Sequence, residues 1–272
     1  MSLRLQKQKT YRINLRINKQ KTNNSSINRK QKVMKTITFF TLGVAFLLVS
    51  AVSCINDLDI SGNGIQASES RTVSTFSKVN SYGSFLVHIS NGEEYSVVLS
   101  ADANLLQHID TWVSDGKLNI EMDKIHSVRT IVPMEVFITM PRLNGIYQGG
   151  SGLIEFDHFQ DDYVEMILSG SGRIEGSFAT QKAKILLSGS GRIDLSGYAN
   201  EADIIISGSG RISGSDFEIA ECTTLTSGSG DMWLSVGEDL DSRISGSGNV
   251  FYYGNPSIRT HISGSGNVYH QD

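Results

Sequence analysis

Glu155, Glu175 and Asp194 each stand three residues beyond a Gly-Ser-Gly phrase, and Ser213, Trp233, Phe251 and Tyr269 then fill the same position. Acids repeated at one position could supply the carboxyl pair of a glycan-cleaving enzyme, one proton donor and one base or nucleophile. The residue directly after the phrase is Leu153, Arg173, Arg192, Arg211, Asp231, Asn249 and Asn267 in turn. Arginines beside acids also make plain surface salt bridges, worth about 0.2–1 kcal/mol per exposed pair, and this is the simpler reading. The aromatic half suggests binding: Trp233, Phe251 and Tyr269, with Tyr252 and Tyr253 nearby, form a candidate strip for sugar rings or a protein partner. The same rings would also serve to shield the last repeat.

Other chemistry is harder to build from these residues. There is no Gly-x-Ser-x-Gly nucleophile phrase, and the serines of the repeat recur in equivalent surroundings, as scaffold residues do. The histidines, at 88, 108, 126, 158, 261 and 270, form no close ligand pair and no His-Glu-x-x-His. No cofactor or metal is therefore expected. "GSGRIEG" has its third glycine one place late for a dinucleotide loop, and no amphipathic helix follows it. A calcium-binding roll would need a nine-residue period, which is missing.

The elements that must hold these residues follow from the phrase itself. Gly149-Gly150-Ser151-Gly152 comes first, and Ser-Gly-Ser-Gly then starts at 169, 188, 207, 227, 245 and 263, in steps of 20, 19, 19, 20, 18 and 18 residues. A flexible linker has no reason to keep a period; a solenoid with one coil per repeat does. Two residues after each Gly-Ser-Gly runs the column Ile154, Ile174, Ile193, Ile212, Met232, Val250 and Val268. One residue before each phrase runs a second column, Gln148, Leu168, Leu187, Ile206, Thr226, Ile244 and Ile262. Both are expected to point inward, with two strand segments meeting at a Gly-Ser corner. There glycine supplies φ > 0 and close approach, and serine hydroxyls bond stacked backbone groups. Seven coils at roughly 4.8 Å spacing give a rod about 30 Å long.

Residues 71–148 alternate apolar and polar without the phrase, as in Phe85, Val87, Ile89 and in Val136, Ile138, Met140. They read as an irregular β-rich half packed against the solenoid of 149–272. The outward position two residues before the corner is apolar in the middle coils, at Ile167, Leu186, Ile205 and Leu225. The expectation is that another surface, most simply the N-terminal half, covers these four.

Charge separates the chain into two parts. The first 53 residues hold 11 Lys and Arg and no acid, leaving 13 bases against 28 acids downstream, a formal charge of −15. Such a body repels nucleic acid and anionic membrane surfaces. "MKTITFFTLGVAFLLVSAVSC" has the basic start, apolar stretch and small residues of an export signal over 34–53. The residues before Cys54 resemble the lipobox of bacterial lipoproteins, so Cys54 is the expected lipidation site. Asp57 and Asp59 loosely resemble the acidic tags of surface-directed lipoproteins. Residues 1–33 read as an upstream start-site artefact, and 54–70 as a tether. Only Cys222 remains after Cys54, so no disulfide framework supports the exported body.

The composite of "RTVSTFSKVNSYGSFLVHIS", "LSADANLLQHIDTWVSDGKLNI", "VFITMPRLNGIYQGGSG" and the Ser-Gly-Ser-Gly-Arg/Asn-Ile/Val repeats resembles the head GIN domain family of auto-transporter adhesins, over about residues 71–270. The resemblance implies an exported bacterial protein with an all-β, solenoid-like fold, and it brings no catalytic residues. The expected molecule is an all-β parallel β-helix of about 19 residues per coil. It serves as an exported, lipid-anchored binding or adhesion protein of the outer membrane and cell surface. A glycan or a protein is its ligand, its membrane contact runs through the N-terminal lipid alone, and a second copy is a further partner class. The rivals are a glycan-cleaving β-helix enzyme and a structural component of the envelope.

Overall fold

Period-two alternation interrupted at regular glycine corners leaves the chain one economical arrangement, strands stacked in parallel with their apolar faces turned inward. The computed structural model describes residues 58–123 and 126–272. The expected start-site segment, export signal and Cys54 lie outside the described residues. Strand accounts for 69% of the described residues, and residues 145–270 form a β-solenoid of about 6 turns.

The N-terminal half contributes β1 (Leu58–Ser61), β2 (Gln66–Ser70), β3 (Lys78–Gly83), β4 (Leu86–Asn91), β5 (Ser96–Asp102), β6 (Ile109–Ser114), β7 (Lys117–Met122), β8 (His126–Arg129) and β9 (Glu135–Met140). The solenoid follows with β10 (Gly145–Gly150), β11 (Leu153–Gly170), β12 (Arg173–Leu187), β13 (Arg192–Ile206), β14 (Arg211–Thr226), β15 (Asp231–Ile244), β16 (Val250–Tyr253), β17 (Ser257–Ile262) and β18 (Val268–His270). Residues 58–70, read as part of a tether, carry two strands: β1 pairs with β8, and β2 lies antiparallel on β5.

Both inward columns form in the expected register. Ile154, Ile174, Ile193, Ile212, Met232, Val250 and Val268 are successive neighbours, as are Gln148, Leu168, Leu187, Ile206, Thr226, Ile244 and Ile262. From Ile154 to Val250 the first column is shut off from solvent, giving the rod a continuous apolar core.

The corners work differently from expectation in one respect. Only Gly150, Gly170 and Gly189 among the corner glycines have positive φ. What the later ones share is crowding: a Cβ on Gly208, Gly228, Gly246 or Gly264 would run into the carbonyl of the glycine one coil beneath. The coils are joined there mainly by serine amides, as in Ser188 N to Leu168 O at 2.8 Å and Ser209 N to Gly189 O at 2.9 Å; the expected hydroxyl bond forms at Ser245, whose Oγ donates to Thr226 O at 3.5 Å, and the corner serine side chains face solvent.

The N-terminal half does not cover the outer face of the middle coils. It extends the stack end-on, β3 pairing in parallel with β10 and β4 with the first residues of β11. Ile167, Leu186 and Ile205 are accordingly half-exposed and Leu225 is 39% exposed, which overturns the expectation that this half shields them. They shield one another instead, since each is the next one's neighbour along the ladder, with Tyr147 before Ile167 and Arg243 after Leu225.

A buried carboxylate ties the irregular half together. Asp102 accepts bonds from the backbone amides of Gly64 at 2.7 Å and of Ile131 and Val132 at 3.0 Å each. Burial pushes this carboxyl up, but the backbone amides outweigh it and hold the group below its ordinary value.

Candidate functional site

The outward column three residues after the corner is longer than the repeat phrase reveals. In register it runs Phe137, His88, Glu155, Glu175, Asp194, Ser213, Trp233, Phe251 and Tyr269, from the N-terminal half to the last coil. Parallel pairing without slippage at these positions puts all nine side chains on one face.

Around the acids this face sinks into an open groove of about 970 Å³, with His88 and Phe137 at one end and Ser213, Ser215 and Asp216 at the other. His88 and Phe137 stack at 5.1 Å between centroids, 17° from parallel. His88 Nδ1 is hydrogen-bonded to Glu155 Oε2 at 3.0 Å. His158 and Ser177 are hydrogen-bonded at 2.9 Å on the groove wall. Phe137 and His88 escape sequence reasoning because no Gly-Ser-Gly precedes them to set their register. The alternation of "FLVHIS" and "EVFITM" was the available signal, and it does not say which coil each strand joins.

Arginines organise the acids. Arg173 bonds Glu175 at 2.7 Å in its own strand and Asp194 at 2.8 Å in the next coil, and Arg192 bonds Asp194 at 2.7 Å. The expected salt bridges between stacked coils are thus present. Burial first, and the neighbouring Glu155 carboxyl second, hold the carboxyl of Glu175 above its ordinary value despite Arg173. Asp194 is committed to two arginines.

The aromatic residues are brought together as a stack, with a consequence the spacing alone does not give. Trp233 and Phe251 lie 4.8 Å apart at 10°, and Phe251 and Tyr269 lie 5.3 Å apart at 18°. The guanidinium carbon of Arg211 sits 4.7 Å from the Trp233 centroid, on the coil before. The ring faces are therefore occupied by one another, and the ladder offers a ligand only its edges and the outer face of Tyr269. Tyr252 takes the opposite side of its strand, packing against the core and against His270 at 5.0 Å. Tyr253 stands in register with Ser235 and not in the ladder. Beside the rings Asp231, Asn249 and Asn267 form a second ladder: the Asn249 amide donates to Asp231 Oδ1 at 2.8 Å, and the Asn267 amide to Asn249 Oδ1 at 3.1 Å.

Cys222 is buried in the core, its thiol pushed up by burial and then by Asp203, which leaves it a packing residue. Among the described residues no group of three or more His, Cys, Asp or Glu could hold a metal ion, and no helix is long and apolar enough to cross a membrane.

This architecture can be compared with known proteins. The family model described as "Putative auto-transporter adhesin, head GIN domain" matches residues 75–256, most of the solenoid together with the irregular strands that extend it. The chain belongs to that head GIN domain family. A crystal structure of a putative adhesin from Bacteroides fragilis aligns with a TM-score of 0.75 at 23% identity, covering 78% of this chain and 100% of that one. A putative lipid binding protein from Parabacteroides distasonis aligns at 0.68 with 22% identity, covering 79% and 100%. A putative adhesin from Parabacteroides merdae aligns at 0.61 with 21% identity, covering 79% and 99%. At these identities the likeness is one of fold. No curated protein matches the chain. Membership of the head GIN domain family supports a binding or adhesion role.

Proposed function

We propose that this head GIN domain is the binding body of an exported, lipid-anchored adhesin of the outer membrane. Its ligand, a neutral glycan chain, lies in the groove around Glu155, Glu175 and Asp194. The observation that carries this reading is the groove itself, walled by carboxylates, an arginine and serine hydroxyls on a rigid face. Sugar hydroxyls both donate and accept hydrogen bonds, so they meet carboxylates and guanidinium together, and a preformed wall orders little on binding. A strongly anionic polymer is disfavoured by the acidic body. The ring edges of the ladder and Tyr269 prolong the same face toward the C-terminal end. The lipobox-like residues before Cys54 support anchoring by lipid.

A second reading, glycan cleavage, is favoured by one observation, the raised carboxyl of Glu175, which suits a proton donor. Asp194, bound to two arginines, argues for binding instead. Retention of the intact protein on a panel of immobilised neutral polysaccharides, followed by assay for new reducing ends, separates the two. Retention without release of sugar supports adhesion; release of sugar establishes the enzyme, and retention only on protein ligands removes the glycan.

A further inference from the structure

The two ends of the solenoid are finished in opposite ways. At the N-terminal end the chain reverses: β6 lies antiparallel on β7, β2 lies antiparallel on β5, and the tight turn at Asp115-Gly116 closes the hairpin. The Gln148 column ends there through Ser81 on Ile120, and the Ile154 column through Val87 and Val136 on Leu99, with Ile120 and Leu99 both fully buried. At the C-terminal end β17 and β18 are laid parallel on the coil before, and among the described residues no strand follows them. Ile258 continues the column of Leu240, and Ile262 that of Ile244; exposure rises from 0% and 1% to 41% in each within one coil.

Backbone polarity at the corner specifies what fits this end. Each Ser-Gly-Ser-Gly donates amides to the coil beneath: Ser263 N to Ile244 O at 2.8 Å, Ser265 N to Gly246 O at 2.9 Å and Gly266 N to Gly246 O at 3.1 Å. In the last coil the equivalent carbonyls, those of Ile262 and Gly264, accept no such bond among the described residues. The corner therefore presents acceptors. Two C-terminal ends placed face to face would oppose carbonyl to carbonyl there, and the N-terminal end is closed by the antiparallel β6–β7 hairpin instead of an open coil.

We propose that the C-terminal end is a strand-acceptor site for an extended polypeptide of a partner protein, which adds in parallel over β17 and the corner that follows it. Its apolar side chains cover Ile258 and Ile262, and its amides reach the carbonyls of Ile262 and Gly264. Two rules define the partner sequence. Glycine is required over Gly264 and Gly266, because at each lower corner a Cβ in that position meets the carbonyl beneath. An acid is favoured over Arg259, which already pairs with Asp239 at 3.8 Å and Asp241 at 3.9 Å from below. The site is separate from the groove and does not depend on what the groove binds.

A capped peptide with the sequence of residues 239–250, DLDSRISGSGNV, obeys both rules and serves as the probe. Fluorescence anisotropy of the labelled peptide against the full chain is expected to show saturable binding. The peptide with both glycines replaced by alanine should bind at least about tenfold more weakly, because the added methyl groups block stacking. Ile262→Lys should lose the peptide while Leu225→Lys, on the side of the rod, keeps it. Should Ile262→Lys fail to fold, hydrogen exchange of the unaltered chain decides: the β17 amides turned away from β15 become protected when the peptide is added and exchange freely without it. Equal binding of the alanine peptide, absence of binding at millimolar peptide, or dimerisation of the chain that protects β17 by itself would each overturn the proposal.

Discussion

The indole of Trp233 and the ring of Phe251 lie 4.8 Å apart and 10° from parallel, one coil above the other. Rings stacked along the axis of the rod hold neighbouring coils together with the faces a sugar would need. Phe251 has a ring on each side of it, so it contributes most.

Phe251→Ala is accordingly expected to cost about 1–3 kcal/mol, from two lost ring pairs and half-buried area, and Tyr269→Ala, at the open end, less than half of that. Urea denaturation of the two variants measures the difference. Equal and negligible effects would mean that the ladder does not bind the coils.

The corner makes a sharper prediction. Gly208→Ala drives a methyl group into the Gly189 carbonyl and is expected to destabilise by about 2–3 kcal/mol, whereas Ser209→Ala, at an exposed side chain, should stay within about 0.5 kcal/mol. If the serine mattered more than the glycine, hydroxyls and not close approach would be holding the corner.

This contrast shows what the sequence discloses and what it conceals. The phrase counts coils, so Ile174 and Ile193 could be set side by side from spacing alone, and with them the order of Glu175, Asp194 and Trp233 on the outer face. It does not say how a ring turns about its own bonds, so the same letters that read as open aromatic faces fold into faces closed against each other. Phe137 and His88 belong to the site but precede the first phrase, and only tertiary pairing brings them to Glu155. The apolar outward row from Ile167 to Leu225 read as a covered surface, because the mutual shelter of like side chains one coil apart leaves no mark in the alternation.

Asp102 gives a pH dependence with a definite sign. Its carboxyl is held below the ordinary 3.8 in the folded chain, so its contribution is present above that value and is lost as pH falls through the lower folded value. Asp102→Asn, which turns an amide donor toward three backbone donors, should be less stable than the parent at pH 7, and the gap should narrow below about pH 3.8. A gap constant from pH 7 to pH 3 would show that the charge is not what the amides hold.

Cys54→Ala should release the protein from the membrane fraction if the lipid is its anchor, and protease treatment of intact cells should remove the solenoid if it faces outward. A Cys54→Ala protein that still fractionates with membranes would contradict anchoring by lipid. Full protection of the solenoid, with a periplasmic protein equally protected, would contradict surface adhesion.

The groove is the centre of the account, and the most direct measurement is the affinity of a retained neutral glycan for four proteins side by side: the parent, Glu155→Gln, Arg192→Ala and Leu225→Ala. Loss of about tenfold or more in the two groove variants, with Leu225→Ala unchanged and all four equally folded, is the predicted result. Unchanged affinity in both groove variants would place the ligand elsewhere and contradict it.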